Sequence, residues 1–139
     1  MKNLRFAFAI GDDNLIAETK FSDASMIRIY EYLFTEKCLN FISEEINPVF
    51  EIKDHDEKVS ILIDFLSSNN IDLLVAKKYG IMIEVENKYF VPIVVSNSSP
   101  QRVVELITKQ INWLYDELEL EKKEHMIIRI DKGVFKYKL

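Results

Sequence analysis

Paired positive charge at the end of an apolar run is the first feature of this sequence that could do chemistry. In IDLLVAKKYG, Ile71 to Gly80, an apolar stretch reaches Ala76 and gives way to Lys77, Lys78, Tyr79 and Gly80. Two ammonium groups at one strand end suit an anionic ligand, phosphate or carboxylate, because each acts as a compact point charge. They equally suit a plain solvated loop. A second cluster, Asp54-His55-Asp56-Glu57, sets one imidazole among three carboxylates. Those residue types ligate metals, yet Asp54 and Asp56 also offer the oxygen that caps a helix N-terminus. No metal-ligand set is assigned. Two-metal phosphoryl chemistry needs carboxylates converging on ions ~3.5–4 Å apart, usually with one on the first strand. Here Leu4 to Ile10 carries none, Asp12 and Asp13 lie beyond it, and Asp72 begins a strand. No Ser-His-Asp spacing, glycine-rich phosphate loop or HExxH occurs, so a non-catalytic protein is expected.

The composition narrows the partners. One cysteine, Cys38, excludes an intramolecular disulfide and a Cys-only metal cage within one chain. A net charge of −5 argues against nucleic acid, whose binders carry a basic excess that displaces counterions. With 48% hydrophobic and 29% charged residues and no apolar run near the ~20 residues that span a bilayer, no membrane partner is expected. The N-terminal apolar stretch stops at Gly11-Asp12-Asp13, too soon for a signal peptide, so a cytoplasmic location is expected.

Elements must position these groups, and 139 residues suffice for one core. Leu4 to Ile10 reads as a strand, and a turn at Gly11–Asn14 leads to a short second strand at Leu15 to Thr19, hairpin grammar. Further strands are expected at Met26 to Phe34 and around Leu39 to Ser43. A helix begins near Glu57, with Val59, Leu62, Ile63 and Leu66 on one apolar stripe. Ile71 to Ala76 is a buried strand, the GIMIEVENKY stretch is read as a short helix, and Phe90 to Val95 is a strand whose Pro92 hints at a missing ladder partner. From Pro100, capped by Ser98 or Ser99, the longest helix carries Val103, Ile107, Ile111, Leu114 and Leu118 at helical spacing. Met126 to Ile130 and Val134 to Tyr137 flank Asp131-Lys132-Gly133 as a terminal hairpin. The expected layout is one α/β domain over 1–120, with 121–139 as its hairpin extension. A lone hairpin is marginal in water, so this one should join the sheet or pair with a second copy; the homodimer is favoured slightly, because Ile127 leaves apolar surface on the second face and an unpaired edge invites another strand.

Two stretches carry a resemblance. KFSDASMIRIYE, Lys20 to Glu31, is similar to a His-Phe-Gly-x-Ala segment followed by a strand ending in aromatic plus acid. IDLLVAKKYG is similar to Val-Asp-x-Val-Ile-Ala-Gly-Gly-x-Gly, and Asn47-Pro48 stands between them where an Asn-Pro is common. On these residues the chain, from about Leu4 to Ile111, resembles the dinitrogenase iron-molybdenum cofactor accessory proteins, the NifX-like domains also found at the C-terminus of NifB. The resemblance implies a mixed β-sheet with flanking helices of ribonuclease-H-like type. It implies a binding or carrier role for an iron-molybdenum or iron–sulfur cofactor, or for a related anionic small ligand. It also implies a cofactor-binding site between two opposed loops, Lys20, Phe21, Ser22 and Asp23 on one and Lys77, Lys78, Tyr79 and Gly80 on the other. The departures fall in that site: Lys20 stands at the family's His, Ser22 at its Gly, and Lys77-Lys78 at its Gly-Gly. The alternative is an interaction or regulatory module that kept the fold and lost the cofactor.

Overall fold

Large and small side chains alternate in Leu4–Ile10, and that alternation sets the two faces of a sheet. Leu4, Phe6, Phe8 and Ile10 belong to one buried cluster, Ala7 and Ala9 to the other, as a period of two requires. The computed structural model describes residues 2–80, 89–120 and 127–131 and the backbone of 134–137. Its strands are β1 (Leu4–Ile10), β2 (Met26–Leu33), β3 (Cys38–Ile46), β4 (Leu73–Ala76), β5 (Val91–Val94), β6 (Ile127–Ile130) and β7 (Val134–Tyr137). They form one mixed α/β sheet in the order β3-β2-β1-β4-β5-β6-β7. β4 is parallel to β1, β5 to β4 and β6 to β5, while β1–β2, β2–β3 and β6–β7 are antiparallel.

Among the described residues three α-helices cover the sheet: α1 (His55–Ser68), α2 (Pro100–Lys109) and α3 (Ile111–Glu119). α1 sets Leu62 and Leu66 on the face of Ala7, Ala9 and Ala76, where small side chains leave room for a close helix. α2 and α3 set Val103, Ile107, Ile111 and Leu114 on the opposite face, against Phe6, Phe8, Val75 and Ile93. Both expected caps form. Asp54 Oδ2 accepts from Glu57 N at 2.9 Å, and Ser99 Oγ accepts from Arg102 N at 3.3 Å, satisfying amides that lack an intrahelical partner. Among the described residues, no group of three or more His, Cys, Asp or Glu is placed to hold a metal ion, so Asp54 serves as a cap.

Three expectations change. Leu15–Thr19 is not a strand, because β1 is already paired with β2 on one side and β4 on the other; a single bridge, Ile10 to Ile16, remains. β3 outruns its expected length to Ile46, since β2 offers a full ladder and Arg28 pairs with Glu44 across it. The helix from Pro100 is broken at Gln110, two residues after Thr108, whose Oγ1 turns back to donate to Val104 O at 2.8 Å, a bond that bends helices. The expectation for Pro92 holds: Val91 N and Val95 N donate to Asp72 O and Ala76 O, so its missing donor faces β6, where the described pairing with β5 begins at Ile93 and leaves Pro92 without a ladder partner. The helix expected in GIMIEVENKY falls on 81–88, outside the described residues.

The C-terminal hairpin is held in the chain's own sheet by β5, with β7 outermost on that side. A bulge interrupts the opposite edge: Ile29 pairs with Ser43 and Tyr30 with Phe41, leaving Ile42 over.

Candidate functional site at the carboxyl edge of the sheet

β1, β4, β5 and β6 all end at one edge, the edge where open α/β sheets place their ligands. There the two loops singled out in the sequence run side by side. Lys20 and Lys78 are partners in a parallel bridge, and Phe21 N donates to Lys78 O at 3.0 Å. The Phe21 and Tyr79 rings stack with centroids 6.2 Å apart. Tyr79 Oη donates to Ile93 O at 2.8 Å, tying the loop after β4 to β5.

Once assembled, the eight candidate residues divide by role. Phe21 is fully buried and Ser22 nearly so, in a short 3-10 turn, Phe21–Asp23. That turn is held by Asn47, itself 2% exposed. Asn47 Nδ2 donates to Ser22 O at 3.1 Å and to Ala24 O at 2.9 Å, while Asn47 Oδ1 accepts from Val49 N at 3.1 Å. Asp23 pairs with Lys58 of α1 at 2.6 Å. Phe21 and Ser22 therefore build the loop, while the Asp23 carboxylate, 45% exposed, is engaged by Lys58. Asn47→Ala would strand three buried backbone groups, each costing ~1–3 kcal/mol when water cannot replace the partner. We expect a loss of about 1–3 kcal/mol after relaxation, read by urea melts; a loss under ~0.5 kcal/mol would show that the turn needs no clamp.

The lysines also divide. Lys77 is drawn away by an ion pair with Glu18 and a hydrogen bond to Ser98 Oγ, leaving its side chain 12% exposed. Those contacts, with Ile16 N donating to Ser98 O at 2.9 Å and Ala17 N to Ala9 O at 2.9 Å, fasten the 11–20 loop over the strand ends. Lys20 and Lys78 remain exposed, and neither makes an ion pair with a described residue. As bridge partners they leave the backbone on one face, so two exposed lysine side chains start from neighbouring positions. Gly80 completes the surface: a Cβ there would lie 2.7 Å from Lys20 Cδ and 3.3 Å from Lys20 Nζ, so the Lys20 stem lies over the glycine.

Beyond this pair, Ser96 N and Oγ donate to Asp131 Oδ1 at 2.9 and 2.6 Å, joining the β5–α2 loop to the end of β6. Partial burial pushes the Asp131 carboxyl up, but Ser96 and Arg129 outweigh it and hold the carboxyl below its ordinary range. Glu18, Asn47 and Lys58 were absent from the sequence-based site; only the Asn-Pro step hinted at one of them. The cation pair is Lys20 with Lys78, where the sequence suggested Lys77 with Lys78. The donors present do not fit direct coordination of an iron-molybdenum or iron–sulfur cluster: the exposed side chains of the bridge are lysine ammonium groups, which have no lone pair to offer a metal, and Cys38 lies on β3, the outermost strand beyond β2. No family model and no curated protein sequence matches the chain.

Proposed function

We propose that the protein is a non-catalytic binding or carrier protein for an anionic ligand, a diverged relative of the NifX-like domains. The juxtaposition of Lys20 and Lys78 carries this reading. An anion bound by both ammonium groups would gain two charge-assisted contacts, and the bridge brings the two backbones close enough for both side chains to reach one ligand. The order β3-β2-β1-β4-β5, with β2 antiparallel to both neighbours, supports a ribonuclease-H-like arrangement for this part of the sheet. The meeting of the two resembling segments at one edge supports the same kinship.

The test is calorimetric titration with orthophosphate and with molybdate. The Lys20→Glu/Lys78→Glu protein should bind at least about tenfold more weakly, equivalent to ~1.4 kcal/mol. The difference should shrink as salt screens the charges. Equal affinities for the variant and the parent would assign both lysines to solvation.

The alternative, an interaction module that has lost its ligand, is favoured by one observation. Leu15, Phe41, Ile42 and Ile46 are large apolar side chains 41–72% exposed, and three of them are on β3, more apolar surface than scattered exposure requires. Anaerobic purification followed by analysis for iron and molybdenum separates a cluster carrier from both other readings.

A further inference from the structure

We propose that a second groove, between the β2–β3 face and the start of α2, binds a small apolar carboxylic acid, an aryl- or alkyl-substituted carboxylate. The groove encloses about 510 Å³, within the ~300–1,000 Å³ of small-molecule sites. It shares no lining residue with the Lys20–Lys78 surface. Leu15, Tyr30, Leu39, Phe41 and Val104 form its apolar walls. Leu15 and Phe41 turn 41% and 57% of their surface to water, where a hydrophobic ligand would cover them.

The charge of the groove selects the ligand's other end. Among the described lining residues Arg28 alone is charged, and its side chain is only 11% exposed. Ser99, Pro100 and Gln101 complete the polar end, at the opening of α2 where the helix dipole is positive. Glu44 holds Arg28 Nε from outside the groove lining, and Asn14 Oδ1 accepts from Nη2. A guanidinium has five donors, so a ligand carboxylate can add to these contacts without displacing Glu44. An ammonium at the same place would meet Arg28 and the positive helix end together. A neutral amide would forgo the charge-assisted bond.

Amide NMR spectra of the full chain titrated with phenylbutyrate, phenylbutanamide and phenylbutylamine test this. The carboxylate should give saturable shifts at Tyr30, Leu39, Phe41 and Val104, with the amide and amine at least about tenfold weaker. Arg28→Gln should bring the carboxylate down to the level of the amide. Val104→Trp, at a half-buried α2 position, should fill the groove and abolish the shifts; this keeps the test decisive should Arg28→Gln fail to fold. No saturable shifts, equal affinity for all three probes, or shifts that vanish instead in Lys20→Glu/Lys78→Glu would each overturn the proposal. The last outcome would place the binding at the carboxyl edge.

Discussion

Replacing Phe8 with alanine is expected to cost about 3–5 kcal/mol, the usual range for a buried phenylalanine. Phe8 sits at the middle of the sheet, paired in register with Arg28 of β2 and Val75 of β4, and is fully buried. Its ring lies 4.5 Å from that of Tyr30, a contact that adds to area burial. Truncation leaves a cavity that the paired backbone on both sides cannot close. Because domains have ~5–15 kcal/mol in total, the variant should unfold at much lower urea with its slope unchanged. A cost under ~1 kcal/mol would mean that the α2–α3 face is not close-packed around this ring.

Leu62→Ala probes the other face and should cost about 2–5 kcal/mol. Leu62 is fully buried on α1 and shares a cluster with Ala7, Ala9, Leu74 and Ala76. The alanines on the sheet cannot reach into the vacated space, so the side chain's volume is not refilled. The sheet separates Leu62 from Phe8, and the two losses should add within ~0.5 kcal/mol. The milder pair Leu62→Val and Phe8→Leu lets that additivity be measured in urea melts. A cost under ~0.5 kcal/mol for Leu62→Ala would mean the helix presents another face.

What the sequence disclosed follows from range. β1, the α1 stripe and the Asp54 and Ser99 caps depend on neighbours within a few residues, and periodicity with side-chain chemistry reveals them. The fate of Leu15–Thr19 depends on β4 claiming the free side of β1, which no local pattern records. Likewise the Ser43-Glu44-Glu45 run reads as polar and weakly β-forming until Arg28 is opposite Glu44. At the carboxyl edge, the two loops that the resemblance set opposite each other run side by side. The pairing of lysines was not legible: Lys77 looks as available as Lys78 until Glu18 and Ser98 are brought to it, and Lys20 looks remote from both. Asn47 was visible only as half of an Asn-Pro step, since the carbonyls it holds come from Ser22 and Ala24.

The extra residue in β3 bears on how sheets of this protein avoid joining into fibres. An outer strand with regularly spaced N–H and C=O groups templates another strand, and natural edges deter this with lysine, proline or a bulge. Cys38–Ile46 contains neither lysine nor proline, so the deterrents on this edge are the charges of Glu44 and Glu45 and the bulge at Ile42, which breaks the spacing and increases the local twist. A partner approaching Phe41 and Ile46 is therefore steered towards their side chains and away from adding a nine-residue ladder. The protein can show apolar surface at this end without offering a template for polymerisation.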